Sequence, residues 1–248
     1  MKWRKFLYDA WNSFFEKKKN NDENFMPYLN SFTKTYKTRL AVIERHLQRK
    51  DYNFSKWKAT LIPKKDGGYR PLIIPKTIRD KLVLKAMSDY LSDSLAPVFN
   101  RVSSVSYAYQ KGKSTRDALI RLKRIHNPEN ILLKIDIKHF FDEIDKRILT
   151  HLLSQYPIDE YVKSLIYKSI NPIVDYSALK KSDIDKFPKG GIPQGNPIST
   201  ILSNLYLYEL DRLAISNDWK MVRYADDIVF SVPNIEEAQL ILDRKSVV

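Results

Sequence analysis

The hydrophobic pattern changes period along the chain, and each change predicts a different element. Trp3, Phe6, Leu7, Ala10, Trp11, Phe14 and Phe15 recur at helical spacing and make one broad apolar face, suited to packing on the body of the protein. Residues 17–24 are polar and charged and read as a linker; a second amphipathic, basic helix is predicted over residues 32–49. The period then drops to that of strands. Residues 58–63 and 70–75 predict a hairpin joined by Lys64-Lys65-Asp66-Gly67-Gly68-Tyr69, whose glycines permit positive φ and whose prolines favour short, edge-paired strands. Thr77-Ile78-Arg79-Asp80 has capping-box spacing ahead of the core-facing stripe Val83, Ala86, Met87, Tyr90 and Leu91, so capping is the expected role of Thr77 and Asp80. Ser114 or Thr115 is expected to cap the next helix. Ile131 to Ile137 is an apolar strand that carries Asp136 at its end and is followed by Phe140-Phe141. Ile201, Leu202, Asn204 and Leu205 fall on a long helix entered through Pro197. Strand-formers on both sides of Asp226-Asp227, in Met221-Val222-Arg223-Tyr224-Ala225-Asp226-Asp227-Ile228-Val229-Phe230, predict a buried β-hairpin with the acid pair at its turn. Asn234, with Glu237 three residues on, starts a helix expected over residues 234–248.

Composition narrows the classes. A chain of 248 residues makes one large domain or two small ones, and 43% hydrophobic with 12% aromatic residues belongs to a globular protein. The 43 basic against 29 acidic residues give a net charge of +14, which points to a polyanion, either nucleic acid or an anionic membrane surface. No apolar run is long enough to span a membrane, and no small-residue cleavage site follows the first basic residues. The absence of cysteine excludes disulfides and thiolate zinc sites and fits a cytoplasmic location.

The candidate chemistry lies in the acids. Asp136, Asp226 and Asp227 at the ends of neighbouring strands would resist ionising together unless cations neutralised them, and Mg²⁺ is the natural partner. The 64–69 turn, with Lys64, Lys65 and Arg70, is either a cationic flap for a triphosphate or an ordinary basic turn. Ser106-Tyr107-Ala108-Tyr109-Gln110-Lys111-Gly112-Lys113 interleaves rings and cations as single-stranded nucleic acid requires, though a plain loop would use the same residues. The Gly-Lys-Ser tripeptide at 112–114 lacks the upstream glycine of a phosphate loop. His139, without spaced partners, reads as a surface residue rather than a metal ligand. Gly190-Gly191-Ile192-Pro193-Gln194-Gly195-Asn196-Pro197 is a loop whose backbone is able to approach a flat partner such as a base or sugar.

These residues together resemble a known family. Asp136-Ile137-Lys138-His139-Phe140-Phe141 resembles polymerase motif A, Gly191-Ile192-Pro193-Gln194-Gly195 with Ser199 resembles motif B, and Tyr224-Ala225-Asp226-Asp227 resembles motif C of reverse transcriptases. Arg70-Pro71-Leu72-Ile73-Ile74-Pro75 with Ile78-Arg79-Asp80 is similar to the fingers motifs of bacterial group II intron and related enzymes. The matches follow family order over residues 57–232.

The resemblance implies an α+β fold, a right-handed polymerase fingers and palm with an antiparallel palm sheet flanked by helices, preceded by an N-terminal helical extension over residues 1–56. It implies RNA-directed DNA synthesis, with a primer 3′-hydroxyl attacking a dNTP at a site of two Mg²⁺ ions. Asp136, Asp226 and Asp227 would be the catalytic and metal-binding acids, helped by the carbonyl of Ile137. Lys65 and Arg70 would hold the triphosphate, Phe141 would exclude a ribose 2′-hydroxyl, Gln194 and Gly195 would line the nucleotide pocket and template contact, and Tyr224 would pack near the primer end. The expected partners are RNA template, DNA or RNA primer and dNTPs, with a cognate noncoding RNA and a separate thumb-bearing chain as further candidates. The thumb has no counterpart in residues 1–248, so the expectation is a fold truncated after motif C, from a mobile element, a retron or an antiphage defence system. A catalytically inactive nucleic-acid-binding remnant is the alternative; a viral-type RNA-dependent RNA polymerase is disfavoured by Phe141 and Ala225.

Overall fold

The computed structural model describes residues 1–19, 31–64 and 67–244. Along the chain run α1 (Trp3–Lys19), α2 (Tyr36–Gln48), β1 (Trp57–Pro63), β2 (Tyr69–Pro75), α3 (Ile78–Asn100), α4 (Thr115–Ile125), β3 (Ile131–Asp136), α5 (Phe140–Glu143) and α6 (Lys146–Ser154). There follow α7 (Glu160–Ile170), β4 (Val174–Asp175), α8 (Lys181–Ile184), α9 (Ser199–Tyr206), α10 (Tyr208–Ser216), β5 (Met221–Tyr224), β6 (Asp227–Val232) and α11 (Ile235–Arg244). The chain forms two compact units, residues 1–93 with 157–199 and residues 94–156 with 200–248. No helix among the described residues is long and apolar enough to cross a membrane.

In the first unit the aromatic face of α1 is buried through Trp3, Leu7, Ala10 and Trp11, and Trp11 stacks on Phe32 at 5.0 Å and on Tyr36 at 5.3 Å. The segment expected as a linker from residue 17 is helical as far as Lys19, and the rest of it lies outside the described residues. The second predicted helix is interrupted at Thr35, so that residues 31–34 form a helical turn of their own before α2. β1 pairs antiparallel with β2 from Trp57↔Pro75 to Pro63↔Tyr69, and β4 adds two residues in parallel on the other side of β1. Pro71 therefore sits on an edge strand, where its missing N–H costs no ladder bond.

Only half of the expected capping box forms at the start of α3. The Asp80 amide donates to Thr77 Oγ1 at 3.1 Å, but the Asp80 carboxylate turns inward instead of back to the cap. It accepts from Tyr52 Oη at 2.6 Å and from the Ser55 amide at 3.0 Å. Asp80 is fully buried, and its carboxylate ties the residues before β1 to α3. Burial and the neighbouring Asp80 carboxylate both push the Tyr52 phenol far above its ordinary pKa, so it remains a donor.

The second unit is built on the antiparallel sheet β3-β6-β5. Ile135, Met221, Ile228, Phe230 and Val232 bury one face of it against Val102, Val105, Tyr208 and Ala214; each such side chain contributes roughly 1.5–3 kcal/mol on burial. Around β5, Val222 and Tyr224 pack with Ala118, Leu122 and Ile125 of α4. Ser114, not Thr115, caps α4, and Asp117 closes a complete capping box with it. The predicted long helix after Pro197 is divided at Leu207 into α9 and α10. Asn234 accepts from the Glu237 amide at 2.9 Å ahead of α11, which is described to Arg244.

Candidate active site

The register of the second sheet brings distant acids together. β3 ends on Asp136 and β6 begins on Asp227, and the two are direct cross-strand partners. Opposed residues in an antiparallel pair share one face of the sheet with their Cα atoms about 5 Å apart, so two carboxylates separated by ninety residues of chain project from the same end and face. Asp226 is in the adjoining turn.

That turn differs from the expected one. Tyr224 pairs with Asp227, so the two loop residues are Ala225 and Asp226, and Asp227 is the first residue of the strand. Ala225 has φ +58°. Positive φ at the first central residue but not at the second, Asp226, is the signature of a type II′ hairpin turn, usually met by glycine, and a residue with a Cβ there costs about 1–2 kcal/mol. The acid pair is thus divided between a turn and a strand.

Beneath the turn, Arg223 is 1% exposed, and all five of its guanidinium N–H groups are used. Nε and Nη2 hold the two oxygens of buried Asp211, Nη2 also donates to Ser106 Oγ at 2.8 Å, and Nη1 donates to Asn204 Oδ1 at 3.0 Å and to the Ala225 carbonyl at 2.9 Å. Asn204 in turn donates to the Ala108 carbonyl at 2.7 Å. Burial pushes the Asp211 carboxyl up, and the guanidinium pulls against it. The Arg223 backbone adds bonds to the Val105 carbonyl and the Tyr107 amide. Nothing in the sequence pattern singled Arg223 out; an arginine inside an otherwise apolar strand was the available signal.

Lys134 was missed as well. Two residues before Asp136 on the same face of β3, its Nζ lies 2.9 Å from Asp227 Oδ1, and that hydrogen bond holds the ammonium above its ordinary pKa. Phe140 is buried against Tyr206, while Phe141 is half-buried and meets Phe140 edge-on at 5.5 Å. Ile137 packs at the margin of the core beneath the sheet, and Tyr224 does so beside α4. His139 is exposed, with φ +52° and Nδ1 3.8 Å from Asp142.

The remaining candidates are in the first unit. Arg70 is exposed on β2 opposite Ile62; Lys65 lies outside the described residues. The Gln194 carbonyl accepts from the Ile73 amide at 2.9 Å, which lays the 190–198 loop along the free edge of β2. Gly195 has φ +100°, and a Cβ there would sit 2.6 Å from Ile74 Cγ2 and 3.2 Å from the Ile73 carbonyl. The close approach that this glycine permits is therefore made to β2 of its own chain. Ser199 donates to the Pro193 carbonyl at 2.8 Å and fixes the loop where α9 begins.

The ring-and-cation segment of residues 106–113 is partly spent on structure. Tyr107 is buried and its amide bonds to the Arg223 carbonyl; Lys113 donates to the carbonyls of Ser103 and Ser106 and lies 4.5 Å over the Tyr107 ring.

Among the described residues no three His, Cys, Asp or Glu side chains are close enough to cage a metal ion by themselves. The acidic end of the sheet still fits Mg²⁺, which is usually held by one or two carboxylates together with substrate phosphates and water.

Residues 62–246 match the family described as reverse transcriptase (RNA-dependent DNA polymerase). The chain belongs to the reverse transcriptase family. Reverse transcriptases generally use divalent metal ions. This reverse transcriptase is 33% identical over 154 residues to the group II intron-encoded protein LtrA of Lactococcus lactis subsp. cremoris, a match covering 62% of this chain and 24% of that protein. It is 32% identical over 169 residues to an uncharacterised 91 kDa protein in the cob intron of Schizosaccharomyces pombe, covering 68% and 20%. With the retron Ec83 reverse transcriptase of Escherichia coli it shares 25% over 175 residues, covering 71% and 52%. The chain thus spans about a fifth to a half of the length of these relatives. Telomerase from Candida albicans has the same fold, at a TM-score of 0.56 and 12% identity, over 80% of this chain and 41% of the telomerase.

Proposed function

We propose that this reverse transcriptase is an RNA-directed DNA polymerase that adds dNTPs to a primer 3′-hydroxyl on an RNA template, in a mobile element, a retron or an antiphage defence system. The observation that carries the reading is the cross-strand pairing of Asp136 with Asp227 next to Asp226. It brings two segments far apart in the chain to the same end of one sheet, in a family whose members generally use divalent metal ions.

On this reading Asp136, Asp226 and Asp227, with the carbonyl of Ile137, hold two Mg²⁺ ions. When bound, the ions promote loss of the proton from the attacking hydroxyl and neutralise the leaving oxygen. The chain's own groups orient and select. Lys134 neutralises part of the acidic cluster through Asp227. Phe141, braced by Phe140, blocks a ribose 2′-hydroxyl. Arg70 and Lys65 bind the triphosphate, and Gln194 and Gly195 line the nucleotide pocket. Tyr224 packs near the primer end. Residues 57–248 make the fingers and palm, with residues 1–56 as a helical extension. The net charge of +14 matches a nucleic-acid partner, and the cytoplasm is the compartment such a template would supply.

Extension of a primed RNA with dNTPs or rNTPs tests the reading. Expected is Mg²⁺-dependent dNMP addition that is lost in Asp226→Asn, and a rise in rNMP addition in Phe141→Ala. RNA binding without extension under any of these conditions would identify a remnant that binds nucleic acid and does no chemistry.

A further inference from the structure

A guanidinium sealed in a protein interior calls for a reason beyond stability, because a well-packed apolar group of the same volume is often as stabilising as a buried ion pair or more so. Four of the five Arg223 bonds run to Asp211, Asn204 and Ser106 and make a closed buried cluster. The fifth leaves that cluster for the carbonyl of Ala225. This carbonyl belongs to the peptide that joins Ala225 to Asp226, so its direction fixes the plane from which the Asp226 backbone departs. The same peptide follows a non-glycine residue at φ +58°, a conformation that persists only where its surroundings impose it. The planar fork of arginine carries the positions of three buried side chains onto one turn carbonyl, which the single rotatable ammonium of lysine cannot reproduce.

We propose that Arg223 is a positioning residue for the polymerase reaction: by bolting the Ala225–Asp226 peptide to the buried Asp211–Asn204–Ser106 cluster, it sets the separation and direction of the Asp226 and Asp227 carboxylates. The proposal rests on the polymerase reading given above. It predicts that loosening the bolt degrades ion binding and turnover while leaving the affinity for the incoming nucleotide in place.

The test compares wild type with Arg223→Lys, Ser106→Ala, Ala225→Gly and the double variant Arg223→Lys/Ala225→Gly. The readouts are thermal unfolding, Mn²⁺ binding by electron paramagnetic resonance, and single-nucleotide extension resolved into kcat and KM. A displacement of reacting groups of the order of 1 Å costs about 100-fold in rate, so Arg223→Lys is expected to lose about that much kcat, with weaker Mn²⁺ binding and a KM for dNTP within about threefold of wild type. Ser106→Ala keeps the charge pair, folds, and shows the same pattern at about a tenth of the size. Glycine adopts positive φ without the bolt, so Ala225→Gly is expected to raise kcat more in the Arg223→Lys background than in wild type. Wild-type kcat and Mn²⁺ binding in folded Ser106→Ala and Arg223→Lys would overturn the proposal, as would a loss that Ala225→Gly fails to relieve. Failure of the polymerase reading looks different: wild type itself would neither extend a primer nor bind Mn²⁺ through Asp226.

Discussion

The two β-hairpins of this reverse transcriptase are alike in sequence pattern and opposite in what lies under them. In the β1–β2 hairpin the residues flanking the turn, Lys64, Tyr69 and Arg70, are all exposed, and nothing lies within 4 Å of a Cβ built at Gly67 or Gly68. In the β5–β6 hairpin the turn is two residues long, its strained position is held by an alanine, and a fully buried arginine grips it from below. A turn made from glycine is held by its own backbone preference. One made from alanine at positive φ is held by its support. The difference suits the two roles proposed here: contact with a charged substrate at the first tip, and fixed placement of carboxylates at the second.

Removing the support is expected to have the largest effect on stability. Arg223→Ala strands the buried Asp211 carboxylate, and breaking a buried pair in this way costs about 3–5 kcal/mol, measurable as a fall in the denaturation midpoint. Next comes Gly195→Ala beside the first hairpin. Its Cβ would meet Ile74 Cγ2 at 2.6 Å at φ +100°, and the expected loss is about 2–3 kcal/mol by the same measurement. In the exposed tip, Gly68→Ala meets open space, so only the backbone penalty remains, about 1 kcal/mol. Equal losses for Gly68→Ala and Arg223→Ala would erase the contrast between the hairpins.

The smallest effect is set by a group outside both hairpins. Hydrogen bonds from the Arg147 side chain and amide hold the half-buried Asp145 carboxyl at about 2, against an ordinary 3.8. Because the folded value is depressed, the stabilisation is present above the ordinary value and fades as pH falls from there towards about 2. Asp145→Asn is therefore expected to lower stability slightly at neutral pH, where the stabilisation is fully present, and to flatten the acid limb of the stability profile, the two proteins converging as pH falls towards about 2.

Much of this arrangement was legible in the sequence, because the signals were local. Alternating strand-formers, glycines at a turn and an acid at a strand end are each fixed by a few neighbouring residues, and they placed both hairpins and β3. The motif order then supplied the fold class, now supported by the family match over residues 62–246. What escaped depended on partners remote in the chain. Asp80 read as a capping residue because the spacing allowed it, yet Tyr52 and Ser55 compete for its carboxylate in the interior. The 190–197 loop was legible as a place of close backbone approach, but not that the missing Cβ of Gly195 makes room for Ile73 and Ile74 of β2. Arg223 carried no periodic signal, since its partners Ser106, Asn204 and Asp211 come from three different segments. The division of the acid pair between turn and strand follows from the register Tyr224↔Asp227, which composition does not encode.

Asp136 is proposed to act together with Asp226 and Asp227 as one reaction centre. The most direct test is the single-turnover rate of dNMP addition to a primed RNA by folded Asp136→Asn, compared with wild type at saturating Mg²⁺. The expected loss is at least about 10²–10³-fold, the scale of removing one group that stabilises developing charge. Addition by Asp136→Asn at the wild-type rate would contradict it.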